Sequence, residues 1–302
     1  MESSKKLTLS RKAKKNRIND QKWSYPFLIP AAIAVSAIVV IPFLIGIYYS
    51  FTKWDGISVS TFVGLENFQR ILGDQEFMAS LWFTLKFSVV TVILINLVGL
   101  CLALIVTKGF RGSTILRTIF FMPNLIGGLI LGFIWQFVFI KAFSSIGTAI
   151  GIEALNGWLS TPLTGFWGMV LMVVWQYAGY IMVIYVAFLQ GVDQSLIEAA
   201  SLDGASEWQQ LLHIKLPMIR PAFTISLFMS LSFCFKIYDQ NLALTSGGPF
   251  KSTTMVAMDI VNTAFSQREM GLAQAKGMVF FLILTIISVT QVYLSSRKEV
   301  EV

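Results

Sequence analysis

Apolar runs longer than about 18 residues recur along this chain, and each is long enough to cross roughly 30 Å of hydrocarbon as a helix. They fall near residues 27–50, 81–106, 116–140, 165–190, 222–243 and 272–295. The fold expected is therefore all-α, a membrane protein with six transmembrane helices. Charged residues make up only 13% of the chain, against roughly 25% in ordinary soluble domains. A length of 302 residues would suit about two soluble domains, but the recurrent spans reduce the count to one membrane domain over 26–296. A basic segment, 1–25, precedes it and a short tail, 297–302, follows.

The net charge of +7 is concentrated rather than spread. Lys5, Lys6, Arg11, Lys12, Lys14, Lys15, Arg17 and Lys22 all precede the first apolar run, as expected of a cytoplasmic anchor under the positive-inside rule. A nucleic-acid-binding tail is the weaker reading of the same residues, so no nucleic-acid partner is expected. The first run is also far longer than the roughly 7–15 apolar residues of a cleavable signal peptide, and it reads as a retained span. Six spans put both termini on one side. With that side inward, Lys108, Arg111, Arg117, Lys215, Arg220, Arg297 and Lys298 join the eight anchor residues, while Lys53, Arg70, Lys141, Lys251 and Arg268 fall outside. This three-to-one bias supports the orientation. Cys101 and Cys234 lie in apolar runs and His213 is the single histidine, so no metal cluster of the usual spacing and no cofactor are expected.

The most informative segment is the inward connection 191–221. Ser195 followed three residues later by Glu198 is a capping-box signature, Gly204 offers a left-handed stop, and Ser206 with Gln209 repeats the signature before Pro217. The prediction is a helix from Ser195, a glycine bend, and a second helix to about Leu216 that Pro217 ends. Leu196, Ala199, Ala200 and Asp203 share one face of the first helix, with small side chains at its centre. Such a face lets another surface approach the backbone closely. It suits a stiff protrusion inserted into a cleft on a cytoplasmic partner, and equally an amphipathic helix lying on lipid.

Glu198-Ala199-Ala200, Asp203-Gly204-Ala205, Ile214, Leu216-Pro217 and Pro221 resemble the EAA loop of the inner-membrane permease subunits of ABC importers. Leu211 departs from the aromatic residue of many relatives but keeps the position apolar. The resemblance implies a type I ABC importer permease architecture in a bacterial cytoplasmic (inner) membrane, with both termini cytoplasmic. It also implies that the loop docks on an ATPase subunit, with Glu198, Ala199, Ala200, Asp203, Gly204, Ala205, Leu211, Leu216 and Pro217 as coupling positions. Phe62 to Phe68, Leu116-Arg117-Thr118 leading to Pro123, and Leu244 to Pro249 are similar to the sugar permeases of the maltose-type group. The implied partners are a second homologous permease subunit, two ATPase subunits, an extracytoplasmic solute-binding protein, a sugar and the lipid bilayer. A glycerol-phosphate cargo is the alternative within the same family.

The run 222–243 contains Ser230, Ser232, Lys236, Asp239, Gln240 and Asn241. A central charge costs about 2.5–3.5 kcal/mol on an insertion scale, whereas each Leu, Ile or Phe returns only about 0.3–0.6. This span must therefore face protein or a water-filled path. Lys236 and Asp239 are spaced to pair on one helix face. In the run 165–190, Gln176, Tyr177 and Tyr180 offer aromatic, amide and hydroxyl groups suited to a carbohydrate, though interhelical hydrogen bonding explains them as well. The maltose-type resemblance implies Gln176, Tyr177, Tyr180, Ser230 and Cys234 as substrate-path residues, to which Lys236 and Asp239 are added. A self-contained secondary transporter, with Lys236 and Asp239 handling an ion, is the reading from another class. Enzymatic activity is not expected, because no nucleophile with a partner base is visible. The segment Gly247 to Thr253 ends like a phosphate loop, but Thr245 and Phe250 stand where its glycines must be. Gly128 and Gly132 form a GxxxG spacing that permits close helix packing.

Overall fold

The computed structural model describes residues 28–58 and 61–297. The basic segment 1–25 and most of the tail 297–302 lie outside the described residues. Among the described residues, five helices are long and apolar enough to cross a membrane: α1 (Leu28–Ser50), α3 (Gln75–Val106), α5 (Gly128–Ile150), α6 (Pro162–Gln190) and α12 (Met270–Ser296). A bent pair, α8 (Glu207–Met218) and α9 (Arg220–Phe235), which meet at 67°, brings the number to six when it is counted as one span. Shorter helices are α2 (Glu66–Gly73), α4 (Ser113–Phe121), α7 (Gln194–Leu202), α10 (Asp239–Leu244) and α11 (Val256–Val261). A two-residue antiparallel ribbon, β1 (Thr52–Lys53) and β2 (Thr61–Phe62), pairs Thr52 with Phe62.

The central pair is α3 and α6, which run parallel. Phe83 and Phe87 meet Phe166 edge-on near one end, and Gly99 faces Ile181 and the Ala178 carbonyl near the other. Helix α9 packs on both. The three are joined in the core by polar groups: Tyr185 Oη donates to Asn96 Oδ1 at 2.9 Å, and Asn96 Nδ2 donates to Ser230 Oγ at 3.0 Å. All three residues are buried, so each bond is made where the alternative is an unsatisfied group in hydrocarbon. Helix α12 packs on α9, and α1 packs on α12 with no buried residue over its most apolar stretch. That all-round apolar, unburied character fits a helix whose solvent is lipid.

Two expected spans are broken. The run expected at 116–140 is α4, a tight turn Met122–Leu125, and then α5, which continues to Ile150. The run expected at 222–243 is α9, an interruption at Lys236 to Tyr238, and α10. The Gly128 and Gly132 spacing packs α5 directly on α10: an added Cβ would lie 2.8 Å from Gln240 Cδ and 2.5 Å from Ala243 Cβ, respectively. At the end of the bundle away from α7, Lys276 of α12 is buried and pairs with Asp74 and Asp259, each at 2.8 Å. It also donates to Thr263 Oγ1 at 2.9 Å. Asp74 caps α3 by accepting from the Phe77 amide, so this cluster ties α3, α11 and α12 together. Arg70 with Glu269 and Lys251 with Glu76 are exposed pairs at the same end, worth at most about 1 kcal/mol each.

Candidate functional site

Two regions carry the expected residues, and α9 connects them. The first is the loop that projects from the end where α3 and α6 finish. Helix α7 begins at Gln194, capped by Asp193, whose carboxylate accepts from the Ser195 amide at 2.9 Å. That bond, together with one from the Ser195 side chain, holds the Asp193 carboxyl below the usual carboxylate range. The expected start at Ser195 is thus displaced. Asp193 lies two residues ahead of Ser195 and reaches its N–H with a geometry that hydroxyl-to-N3 capping does not need. Glu198 consequently sits beyond the first turn.

The bend forms as expected. Gly204 has φ +82°, the Ala205 N–H donates to the Ala200 carbonyl at 2.9 Å, and the Gly204 N–H donates to the Ser201 carbonyl at 3.1 Å. This is a Schellman ending, and glycine enters the left-handed region without a Cβ clash. Ser206 and Gln209 then cap α8 reciprocally. Pro217 does not end α8, which runs to Met218. A wide turn over Leu211–Lys215, closed by the Leu216 N–H on the Leu211 carbonyl, absorbs the bond that the proline nitrogen cannot make. The bend comes two residues later, at buried Ile219.

Helix α7 has no buried residue. Glu198, Ala199 and Asp203 are exposed, whereas Ala200, Ala205, Leu211, Leu216 and Pro217 are half-buried. Leu202 is 90% exposed and Trp208 66%, a large unpartnered surface for so short a segment. Glu207 reaches Lys108 of the 107–112 connection at 3.6 Å. Between the loop and the ends of α3 and α6 lies a cavity of about 940 Å³. His213 is exposed, its Nδ1 at 3.0 Å from the Gln209 carbonyl.

The second region is where the two breaks meet on α6. Gln176 Nε2 donates to the Ile126 carbonyl in the first break at 3.2 Å, and Gln240 Nε2 donates to Gln176 Oε1 at 3.2 Å and to Tyr177 Oη at 3.3 Å. Irregular backbone at membrane depth persists where protein buries it or where it lines a cavity. Both conditions hold here, since a cavity of about 480 Å³ opens beside Tyr177, Ser232, Phe233, Lys236 and Gln240. The Tyr177 ring stacks on Phe233 at 4.4 Å, and Tyr180 meets Phe233 edge-on at 5.4 Å.

The remaining expected path residues divide. Ser230 and Cys234 are buried in the core and do not line this cavity. Lys236 and Asp239 are both exposed, and they are not paired with each other because the helix stops between them. Phe233 was not singled out by sequence reasoning, and Gln240 was noted only as a polar group within an apolar run. The signal was the combination of Gln240, Lys236 and Asp239 in one turn, a spacing that marks an interrupted helix.

Residues 95–300 match the family described as the binding-protein-dependent transport system inner membrane component. The chain belongs to this family. It is 50% identical over 279 residues to the probable starch degradation products transport system permease protein AmyD of Thermoanaerobacterium thermosulfurigenes, covering 92% of this chain and 96% of that protein. It is 30% identical over 286 residues to the multiple sugar-binding transport system permease protein MsmF of Streptococcus mutans, covering 94% and 99%. A chain from the crystal structure of a bacterial ABC transporter involved in import of the acidic polysaccharide alginate superposes with a TM-score of 0.80 at 20% identity, covering 93% of this chain and 98% of that one. The all-α type I importer permease fold expected from the loop is thus the fold of this permease.

Proposed function

We propose that this permease conducts a carbohydrate, delivered by an extracytoplasmic binding protein, and that ATP hydrolysis in separate ATPase subunits drives the movement through α7. One observation carries the reading: a glycine-terminated helix with no buried residue is rooted through α8 in α9, the broken span whose end lines the membrane-depth cavity. Displacement of α7 has a covalent route to the cavity wall. The named cargoes of AmyD and MsmF, together with the stacked Tyr177 and Phe233 beside Gln240 and Ser232, favour sugar. In this reading the end bearing α7 is cytoplasmic, a second permease subunit covers the open side of the cavity, and the chain itself holds no nucleotide. Lys236 on the cavity wall makes no ion pair with another described residue, which favours a glycerol-phosphate-type anion as the second reading. Uptake assays with labelled maltodextrin and glycerol phosphate separate the two.

Glu198→Arg tests the coupling. The side chain is exposed, so stability should change by no more than about 0.5 kcal/mol and the complex should be recovered in normal amount. Uptake in proteoliposomes containing ATPase, partner permease and binding protein is expected to fall to background. Wild-type levels of binding-protein-stimulated ATP hydrolysis in this variant would refute the reading. ATP-independent uptake by the purified chain alone would favour the secondary-transporter class instead.

A further inference from the structure

Coupling through α7 requires that it not swivel about Gly204. Apolar packing restrains such a swivel only weakly, because no α7 side chain is buried and only Ile197 and Ala200 are half-buried, so the restraint falls largely to polar bonds at the bend. Across residues 194–210 one side chain is buried, that of Gln210. Its Nε2 donates across Gly204 to Ser201 Oγ on α7 at 2.9 Å and, on its own side of the bend, to the Ala205 carbonyl at 3.1 Å. Ser201 Oγ in turn donates to the Ile197 carbonyl at 2.9 Å. The chain of bonds therefore runs from the root of α8, across the glycine bend, into the middle of α7.

We propose that Gln210 is a positioning residue for energy coupling, a clamp that locks α7 to α8 so that displacement at α7 is passed to α9 and the cavity. This rests on the importer reading above. Gln210 faces into the bend, where its bonds go to Ser201 and Ala205, so it acts through α7. A planar amide fits the place because both bonds use its two N–H donors at once. Without them, the backbone bonds of the Schellman ending are left as the main polar restraint at Gly204. More of the motor's movement is then absorbed at the bend, where glycine has no Cβ to restrict rotation.

The test compares Gln210→Leu, which keeps the bulk and removes both donors, with the wild type in the fully reconstituted complex. Uptake and ATP hydrolysis are measured on the same proteoliposomes. The expected result is an unchanged ratio of ATPase to permease on purification, with transport per ATP hydrolysed lower by about tenfold. Ser201→Ala is expected to produce a smaller loss of the same kind, Ser201→Thr to restore coupling, and the double variant to be no worse than Gln210→Leu. Such non-additivity marks two groups acting through one contact. A merely structural role would instead lower recovery and leave the transport-to-ATP ratio of the surviving complex unchanged. If Gln210→Leu assembles poorly, Ser201→Ala, at an exposed position, carries the measurement. An unaltered ratio in both variants overturns the clamp while wild-type coupling keeps the importer reading intact. A wild-type complex with no ATP-driven uptake overturns both.

Discussion

Gly179→Val is expected to prevent the bundle from assembling, whereas Gly277→Ala should be neutral or slightly stabilising. Gly179 lies midway along α6, and a Cβ there would overlap the carbonyl oxygen and carbon of Phe120 and press on the Phe121 nitrogen at 3.0 Å. These are backbone atoms at the end of α4, so no rotamer change relieves the clash. Moving α4 away would also pull on the turn that follows it, where the Ile126 carbonyl accepts from Gln176. The contact that brings the first break against α6 therefore requires glycine, and the variant should lose more than about 4 kcal/mol. Gly277 has no atom within 4 Å of its added Cβ, and alanine in a helix interior gains roughly 0.5–1 kcal/mol over glycine. The measurement is the yield of monodisperse protein in detergent and its thermal midpoint. Wild-type yield and midpoint for Gly179→Val would show that α4 does not sit where described.

The next largest loss is expected from Lys276→Met. Lys276 is 1% exposed, and its ammonium is held by Asp74, Asp259 and Thr263, with the Phe77 ring 5.4 Å below. Removing one partner of a buried ion pair costs about 3–5 kcal/mol, chiefly because the other charge is left uncompensated. Here two carboxylates are left. Burial already pushes the Asp259 carboxyl up, the Lys276 ammonium opposes that, and the charges of Asp74 and Glu76 push it further. Burial also pushes Asp74 up, but bonds from Lys276 and the Phe77 amide with the Lys276 charge outweigh it and leave that carboxyl lowered.

Without the lysine, only the raising influences remain at Asp259, and Asp74 loses its largest lowering influence while keeping the bond from the Phe77 amide. A carboxyl raised in the folded state above its unfolded value weakens the fold as pH climbs and ceases to do so once protonated. The deficit of Lys276→Met should therefore shrink as pH falls from about 7 toward about 5. Adding Asp259→Asn should recover part of the loss at neutral pH. A neutral-pH melting midpoint within about 2 °C of wild type would rule this account out.

Much of this molecule was legible in advance, and its gaps have definite causes. Hydropathy located the spans because transfer energy sums over some twenty residues, and the same summation concealed the breaks. Three residues, Lys236 to Tyr238, barely change a window that also contains Phe233, Phe235, Leu242 and Leu244. The loop 194–217 was legible because capping and glycine chemistry are local: Gly204, Ser206 and Gln209 act within one turn of themselves. Even there Asp193 displaced Ser195 as the cap, since two residues on either side of Gln194 with similar acceptors compete on geometry that spelling does not record. Lys236 with Asp239 failed as a pair for the same reason the span failed as a helix, because three-residue spacing means one face only while the backbone stays helical.

The covalent order of residues was enough to establish a lipid-soluble helical bundle, its approximate crossings and the bent protrusion between two of them, because each follows from partition free energies or from bonds closed within a few residues. It was not enough to bring Lys276 to Asp74 and Asp259, Asn96 to Tyr185 and Ser230, the two breaks to Gln176, or Gln210 to Ser201 across Gly204. Those pairings depend on which helix faces which and at what depth. That choice belongs to packing, where one glycine at 179 or one buried amide at 210 decides the fit and no sum over neighbouring residues can report it.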